Sequence, residues 1–194
     1  MTPQEMLALL REEAKKGRDP TAADDTLRYL LDLAETLRPG RILEIGAAEG
    51  LTSCAMLLSS QARLTAIELD PVRAARAREN FRLFGVEGRA TLFEGDAGEI
   101  LPMLEGEYGL IFLDGPKAQY LRYLPECKRL LARGGVLLSD DVLLFGWVRG
   151  EPPKKRRMLV EHIREYLSAL ERDPELETEI LEIGEGLAVS RRKG

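Results

Sequence analysis

The chain has 194 residues, 44% of them hydrophobic and 31% charged, with a formal net charge of −5. That is enough chain to bury a core without disulfide or metal staples, and the acidic balance excludes a general polyanion-binding surface, so a nucleic-acid partner would need a local basic patch. Cys54 and Cys127 lie far apart with no CxxC partner and read as reduced core or helix-face thiols, and no apolar stretch reaches the roughly 18 residues of a membrane span. The opening MTPQEMLALLREEAKKG lacks the charged-then-apolar order of a signal peptide, so the expectation is a cytoplasmic protein.

In chain order, the first segment reads as a helix with Thr2 as cap, Pro3 in its first turn and Gly17 at its exit. Met6, Leu7, Leu9 and Leu10 give it an apolar face that could cover a binding site or pair two subunits. A second helix runs from about Ala22 to Leu37, with Leu27, Leu30, Leu31 and Ala34 at helical spacing and Pro39-Gly40 as its stop. Five short apolar runs follow, RILEIG, RLTAIELD, ATLFEGD, YGLIFLD and GVLLSDD, separated mostly by helical patterns such as PVRAARARENFRLFG and QYLRYLPECKRLLARGG. This alternation predicts βαβ units and a parallel sheet covered on both faces. Near the end, ELETEILEI, GEG and LAVSRRK read as two strands joined by a tight turn, which places one antiparallel strand in the sheet.

In such sheets ligands bind beyond the carboxyl ends of the strands, where strand order reverses. The first strand ends in LEIGAAEGLT, where Gly46 and Gly50 let the backbone pass close to a ligand before a helix begins. The spacing is neither the G-x-G-x-x-G of dinucleotide dehydrogenases nor a Walker loop with its lysine. Glu44 precedes the first glycine and suits a ligand with an ammonium or sulfonium charge. Glu68 ends the second strand, where a carboxylate can accept both hydroxyls of a ribose, and Asp96 ends the third, within reach of an adenine amino group. One acid at a strand tip is ordinary solvated surface. Three at successive tips fit S-adenosylmethionine better than NAD or ATP.

ILEIGAAEGLTS, AIELDP, EGDA, YGLIFLDGPKAQYLRYL, LARGGVLLSDDVLLFG and the terminal DPELETEILEIGEGLAVSRRK resemble the cation-dependent O-methyltransferases. That family includes catechol and caffeoyl-CoA O-methyltransferases and the bacterial tRNA 5-hydroxyuridine methyltransferases, and the likeness covers nearly all the chain after about Asp19. It implies a Rossmann-like class I methyltransferase: an α/β fold with a mostly parallel seven-stranded sheet, one antiparallel strand near the C-terminus and helices on both faces. Residues 1–194 would form a single domain, 1–17 an extra helix and 18–194 the core. By the same resemblance Glu44, Gly46, Ala47 and Thr52 line the methionine end of S-adenosylmethionine, Glu68 holds the ribose, and Asp96 with Ala97 meets the adenine. Thr21, in a segment similar to the one before the family's first core helix, reaches the cofactor, and a homodimer is the family's habit.

Asp114 follows the fourth strand and Asp140 and Asp141 the fifth. If those strands are neighbours, their ends lie about 4.8 Å apart and the three carboxylates converge on one hard cation, Mg²⁺ by preference. A turn or helix-cap role explains one of these aspartates and not all three. The family usually has Asn where Asp141 stands. Lys117, three residues past Asp114, matches the lysine held to assist removal of the acceptor's proton; nearby cations would lower its pKa and the aspartates would raise it. The expected reaction is in-line methyl transfer to an acidic hydroxyl beside a second oxygen.

The stretch FGWVRGEPPKKRRMLV sets Arg149, Lys154, Lys155, Arg156 and Arg157 against a single Glu151, next to Trp147. Such runs are commonly solvated helix starts. Beside the site, a basic patch with an aromatic suits an RNA backbone and a splayed base, and the surrounding motifs look closer to the tRNA-modifying branch than to the catechol branch. The expectation is therefore a tRNA wobble-uridine methyltransferase, with a small-molecule enzyme acting on catechols or hydroxycinnamoyl thioesters as the alternative. Two other classes fit the residues less well. A cofactor-binding protein without catalysis leaves the aspartates and lysine unexplained, and an oxidoreductase lacks its glycine motif. His162, with no second histidine, has no metal role.

Overall fold

The computed structural model describes residues 1–17 and 21–194. Helix α1 spans Pro3–Gly17 and opens with a reciprocal cap: Glu5 N–H donates to Thr2 Oγ1 at 3.2 Å, and Thr2 N–H to Glu5 Oε2 at 2.7 Å. Helix α2 covers Asp24–Leu37, two residues shorter at its start than its apolar spacing predicts. Ala22 stays outside because its carbonyl accepts from the Arg11 guanidinium at 2.6 Å. Then come β1 (Arg41–Ile45), α3 (Leu51–Ser59), β2 (Arg63–Glu68), α4 (Pro71–Leu83), β3 (Ala90–Glu94), α5 (Ala97–Ile100) and β4 (Tyr108–Leu113). Pro71 starts α4 as predicted, with Asp70 accepting from the Val72 and Arg73 N–H groups. The chain closes with α6 (Tyr120–Leu130), β5 (Leu131–Ser139), α7 (Arg157–Arg172), β6 (Leu176–Leu181) and β7 (Leu187–Arg192). The LARGG stretch, read as the end of a helix, belongs instead to β5, because Leu131 pairs with Tyr108 of β4.

The seven strands run in the order β3-β2-β1-β4-β5-β7-β6. Only β7 is antiparallel to its neighbours, which matches the sheet expected from the sequence. Strand alternation divides the core in two. Leu43, Ile45, Ile111, Leu113 and Leu137 face the side packed by α6 and α7, while Ile42, Leu110, Phe112, Val136 and Leu138 face α2, α3 and α4. Cys54 and Cys127 are free thiols buried one on each side. Among the described residues no helix is long and apolar enough to cross a membrane.

Strand order reverses between β1 and β4. The chain builds outward from β1 to β3, then returns to place β4 on the other side of β1. At that point Gly46 has φ of +93°, and a Cβ there would sit 2.3 Å from the Asp114 carbonyl oxygen. The two loops pass so closely that only glycine fits. Gly50, also at positive φ, serves packing instead: a Cβ would meet Phe81 at 2.8 Å, and the residue lies outside the cavity described below. We expect Gly46→Ala to lower Tm by about 10 °C, whereas Gly40→Ala, with no atom within 4 Å, leaves it nearly unchanged; differential scanning calorimetry checks both.

Candidate active site

A cavity of about 620 Å³ opens at the carboxyl ends of β1, β2 and β4, at the reversal of strand order. Its lining includes Thr21, Glu44, Gly46, Ala47, Thr52, Glu68, Asp96, Ala97 and Asp114, the residues that the sequence assigned to a cofactor. Arg73, Gln119 and Tyr123 also line it and were passed over. Arg73 lies in a helix of alternating alanines and arginines that reads as solvated. Gln119 and Tyr123 lie in a pattern read only for its leucines.

The three acids expected at strand tips sit in different surroundings. Glu44 is 1% exposed and accepts a hydrogen bond from Ser53 Oγ. Burial pushes its pKa up to about 8, opposed by the Ser53 bond, reinforced by Asp114 and Glu68, and relieved a little by Arg11. Glu68 is held by backbone: Oε2 accepts from Ala48 N–H at 2.7 Å and Oε1 from Asp70 N–H at 2.8 Å. Each oxygen keeps a lone pair directed elsewhere. Asp96 caps α5, accepting from Gly98 N–H at 2.6 Å, so its place in the cavity wall is fixed by a helix start.

Strands β4 and β5 are neighbours with Leu113 opposite Ser139, so Asp114 and Asp140 leave the sheet side by side. Asp141 follows with φ of +55°, a left-handed conformation that aspartate and asparagine tolerate better than most residues. The backbone at this position therefore accepts the Asp found here as readily as the family's usual Asn. Lys117 Nζ donates to Asp114 Oδ1 at 2.8 Å, to Tyr120 Oη at 3.0 Å, and pairs with Asp141 Oδ2 at 3.1 Å. Tyr120 is fully buried, and its hydroxyl lies 2.9 Å from the Leu113 carbonyl and 3.2 Å from that of Asp140, tying the two strand ends together beneath the lysine. Thr26 of α2 donates to Asp140 Oδ1 at 3.4 Å. Neither Tyr120 nor Thr26 was singled out in the sequence.

Charge is out of balance here. Burial, with Asp114 and Asp141 nearby, pushes Asp140 up to about 7, and burial also raises Asp114 despite Lys117. Burial works against the Lys117 ammonium, but Tyr120, Asp114 and Asp141 prevail and hold its pKa well above the ordinary value. The sequence left the direction of this shift open; Tyr120 and the two aspartates decide it. Among the described residues no three acidic, thiol or imidazole groups form a cluster that could hold a metal ion as they stand. Asp114 and Asp141 are gathered around the lysine, while Asp140 Oδ1 accepts from Thr26 and from the Asp141 N–H. Their chemistry nonetheless fits a hard divalent cation: an all-oxygen set of three carboxylates that obstruct one another's ionisation and share a single ammonium.

The profile of the O-methyltransferase family matches residues 3–193. The chain belongs to this O-methyltransferase family. A caffeoyl-CoA O-methyltransferase of Populus kitakamiensis is 28% identical over 179 residues, covering 87% of this chain and 76% of that protein. The catechol O-methyltransferase of Sus scrofa is 39% identical over 119 residues, covering 56% of this chain and 63% of that protein. The crystal structure of SAH-bound Podospora anserina methyltransferase PaMTH1 superposes with a TM-score of 0.87 at 27% identity, covering 97% of this chain and 88% of that one. The motifs at the strand ends thus led to the right family and fold.

In this O-methyltransferase the segment after Asp141 forms one edge of the carboxyl-end face. Val142 and Leu143 N–H groups donate to the Gly186 and Glu185 carbonyls in the β6–β7 turn, and Arg164 of α7 donates to the Trp147, Val148 and Gly150 carbonyls. Trp147 is partly buried against the core, whereas Phe145, 5.0 Å from it between ring centroids, is 67% exposed. Arg149 pairs with Glu182, which cancels its charge. Lys154, Lys155, Arg156 and Arg157 are exposed and make no ion pair among the described residues. His162 Nδ1 is buried without a hydrogen-bond partner among the described residues, and no ligand-binding arrangement surrounds it.

The raised pKa of Glu44 predicts a pH effect. The unfolded carboxyl ionises near 4.5 and the folded one near 8, so its contribution to stability is complete below pH 4.5 and is lost as pH rises through 8. Glu44→Gln, which mimics the neutral acid, should gain stability over the parent chain progressively from pH 5 to 8, reaching several degrees in Tm, and level off above. Parallel Tm-versus-pH curves for the two proteins would show that Glu44 is already ionised in the folded state.

Proposed function

We propose that this chain transfers a methyl group from S-adenosylmethionine to an acidic hydroxyl that lies beside a second oxygen. The observation that carries the reading is the cavity at the strand reversal, acid-lined and continuous through Asp114 with the aspartate–lysine cluster. Its support includes the SAH bound by the Podospora anserina relative. When bound, S-adenosylmethionine supplies the methyl group, and a divalent cation, Mg²⁺ by preference, polarises the acceptor oxygens; Asp114, Asp140 and Asp141 would hold that ion.

Glu44, buried beneath the cavity, offers its charge to the cofactor's ammonium, and the ligand's positive charge restores the ionisation that burial opposes. Glu68 presents its remaining lone pairs to the ribose hydroxyls, and Asp96 with Ala97 borders the adenine. Lys117, kept protonated by Tyr120 and its aspartates, donates a hydrogen bond to the acceptor oxygen as that oxygen's proton passes to solvent water, and Tyr120 fixes where the ammonium points. The acceptor oxygen then attacks the methyl carbon as the bond to sulfur breaks, leaving S-adenosylhomocysteine.

For the acceptor we propose 5-hydroxyuridine in tRNA, whose 5-hydroxyl and 4-carbonyl supply the paired oxygens. The exposed basic residues Lys154, Lys155, Arg156 and Arg157, with the open ring of Phe145 for a splayed base, support it. A second reading, a catechol or hydroxycinnamoyl thioester, is supported by the relatives that carry those names. Labelled methyl transfer to tRNA bearing unmethylated 5-hydroxyuridine and to catechol, each with Mg²⁺ and with EDTA, separates the two. Transfer to tRNA that weakens steeply with salt is expected, whereas transfer to catechol alone would sink the RNA reading. EDTA should abolish activity on either acceptor; undiminished transfer would remove the metal from the proposal.

Two substitutions probe the lysine. Lys117→Ala should reduce kcat by about 10²-fold to 10⁴-fold. Tyr120→Phe should reduce it by about tenfold with little change in the Kd for S-adenosylhomocysteine. Tyr166→Phe deletes a similar buried hydroxyl, 2.6 Å from Ser139 Oγ, on a ring that packs against Tyr120 but is not bonded to Lys117, and should leave kcat within about twofold. Equal losses in both tyrosine variants would reduce Tyr120 to a packing residue.

A further inference from the structure

Helix α1 precedes the sheet and its helices in sequence, yet it reaches the cavity. Ala14 forms part of the lining, and Arg11, one turn earlier on the same helix face, is only 4% exposed. Its guanidinium divides its donors among groups from two other parts of the chain. Nη1 lies 2.9 Å from Thr21 Oγ1 and 3.4 Å from Thr52 Oγ1, and Nη2 lies 2.6 Å from the Ala22 carbonyl. Asp24 adds a flanking carboxylate at 3.6 Å. Thr21, Ala22 and Thr52 all line the cavity, while Arg11 itself does not.

A buried guanidinium is costly to desolvate, and a surface helix needs none to stay folded. Here its donors are directed at cavity-wall residues and its one ion-pair partner is largely exposed, so packing alone does not explain the position. The fork is the feature that matters. Nη1 holds a hydroxyl from the segment before α2 and a hydroxyl from the first turn of α3, while Nη2 in the same rigid plane takes the Ala22 carbonyl, a fixed three-acceptor arrangement that a single ammonium does not impose. The same positive charge also favours the ionised form of Glu44 across the cavity.

We propose that Arg11 is a positioning residue for the cofactor: it fixes the hydroxyls of Thr21 and Thr52 and joins α1 to the cavity wall, so that cofactor binding and docking of α1 form one coupled equilibrium. The inference rests on the S-adenosylmethionine reading of this cavity. It gives α1 a role in cofactor retention, apart from the acceptor cover or dimer contact that its apolar face suggests.

The test uses the full-length protein with S-adenosylhomocysteine as the probe, by calorimetric titration and by hydrogen exchange over residues 3–17. In the parent chain, saturating probe should slow exchange in α1 by tenfold or more. Arg11→Met, which keeps the apolar stem, should weaken Kd at least tenfold and abolish that protection, while kcat at saturating S-adenosylmethionine stays within twofold. Arg11→Lys should fall between the two. Unchanged Kd in Arg11→Met, or exchange in α1 that ignores the probe in the parent chain, would overturn the inference. Should Arg11→Met fail to fold, the parent-chain exchange experiment and Arg11→Lys still decide it. A parent chain that binds no S-adenosylhomocysteine would instead overturn the cofactor assignment, a separate and recognisable result.

Discussion

Glu44, Asp114 and Asp140 stand at the carboxyl ends of strands that touch, and burial keeps water from screening them from one another. A parallel sheet makes this possible, because every strand from β1 to β5 delivers its last residue to the same edge. The cost of crowding carboxylates there is distributed. Backbone N–H groups satisfy Glu68 and Asp96, Lys117 serves Asp114 and Asp141, and Ser53 and Arg11 attend Glu44. What remains uncompensated, chiefly at Glu44 and Asp140, is where positively charged ligands have most to gain. The cavity is thus electrostatically incomplete in a directed way, and the loops around it are arranged to keep it so.

Much of this was legible in the sequence because the signals were local. Five short apolar runs alternating with helical patterns, a glycine after the first, and an acid at each tip give the parallel strands, the open edge and most of the cavity wall. The order β3-β2-β1-β4-β5-β7-β6 is also a consequence of chain direction, since short crossovers between parallel strands leave few alternatives. Gly46 was legible as a glycine with a purpose, but the purpose differs from the one its motif suggested. It makes room for the backbone of Asp114 rather than for a ligand alone, a contact between loops far apart in sequence.

The parts that were not legible depend on long-range side-chain contacts. Arg11 reads as one charge in an amphipathic helix, and its three acceptors lie on segments that only the fold brings together. Tyr120 reads as core and is core, yet its hydroxyl ties two strand ends and a lysine. Trp147 drew attention as the sole tryptophan, but residue size says nothing about which neighbouring ring faces outward. Phe145 does so because Leu144, Phe145 and Gly146 take left-handed backbone conformations that turn the chain at this point. Arg149 was counted with the basic run because Glu182, which pairs with it, is supplied by the distant end of β6.

The segment carrying Phe145 is fastened mainly through main-chain atoms. Its amides donate to carbonyls of the β6–β7 turn, and its own carbonyls accept from Arg164. An attachment of that kind is indifferent to most of the side chains it holds in place. The exposed residues along this edge, Phe145 among them, can therefore be exchanged while the loop keeps its path, held also by the buried Val142, Leu143 and Leu144, and the charged strand tips a few residues away are left undisturbed. The fold thus separates the charged strand tips from an exposed edge that can be resurfaced without rebuilding the sheet.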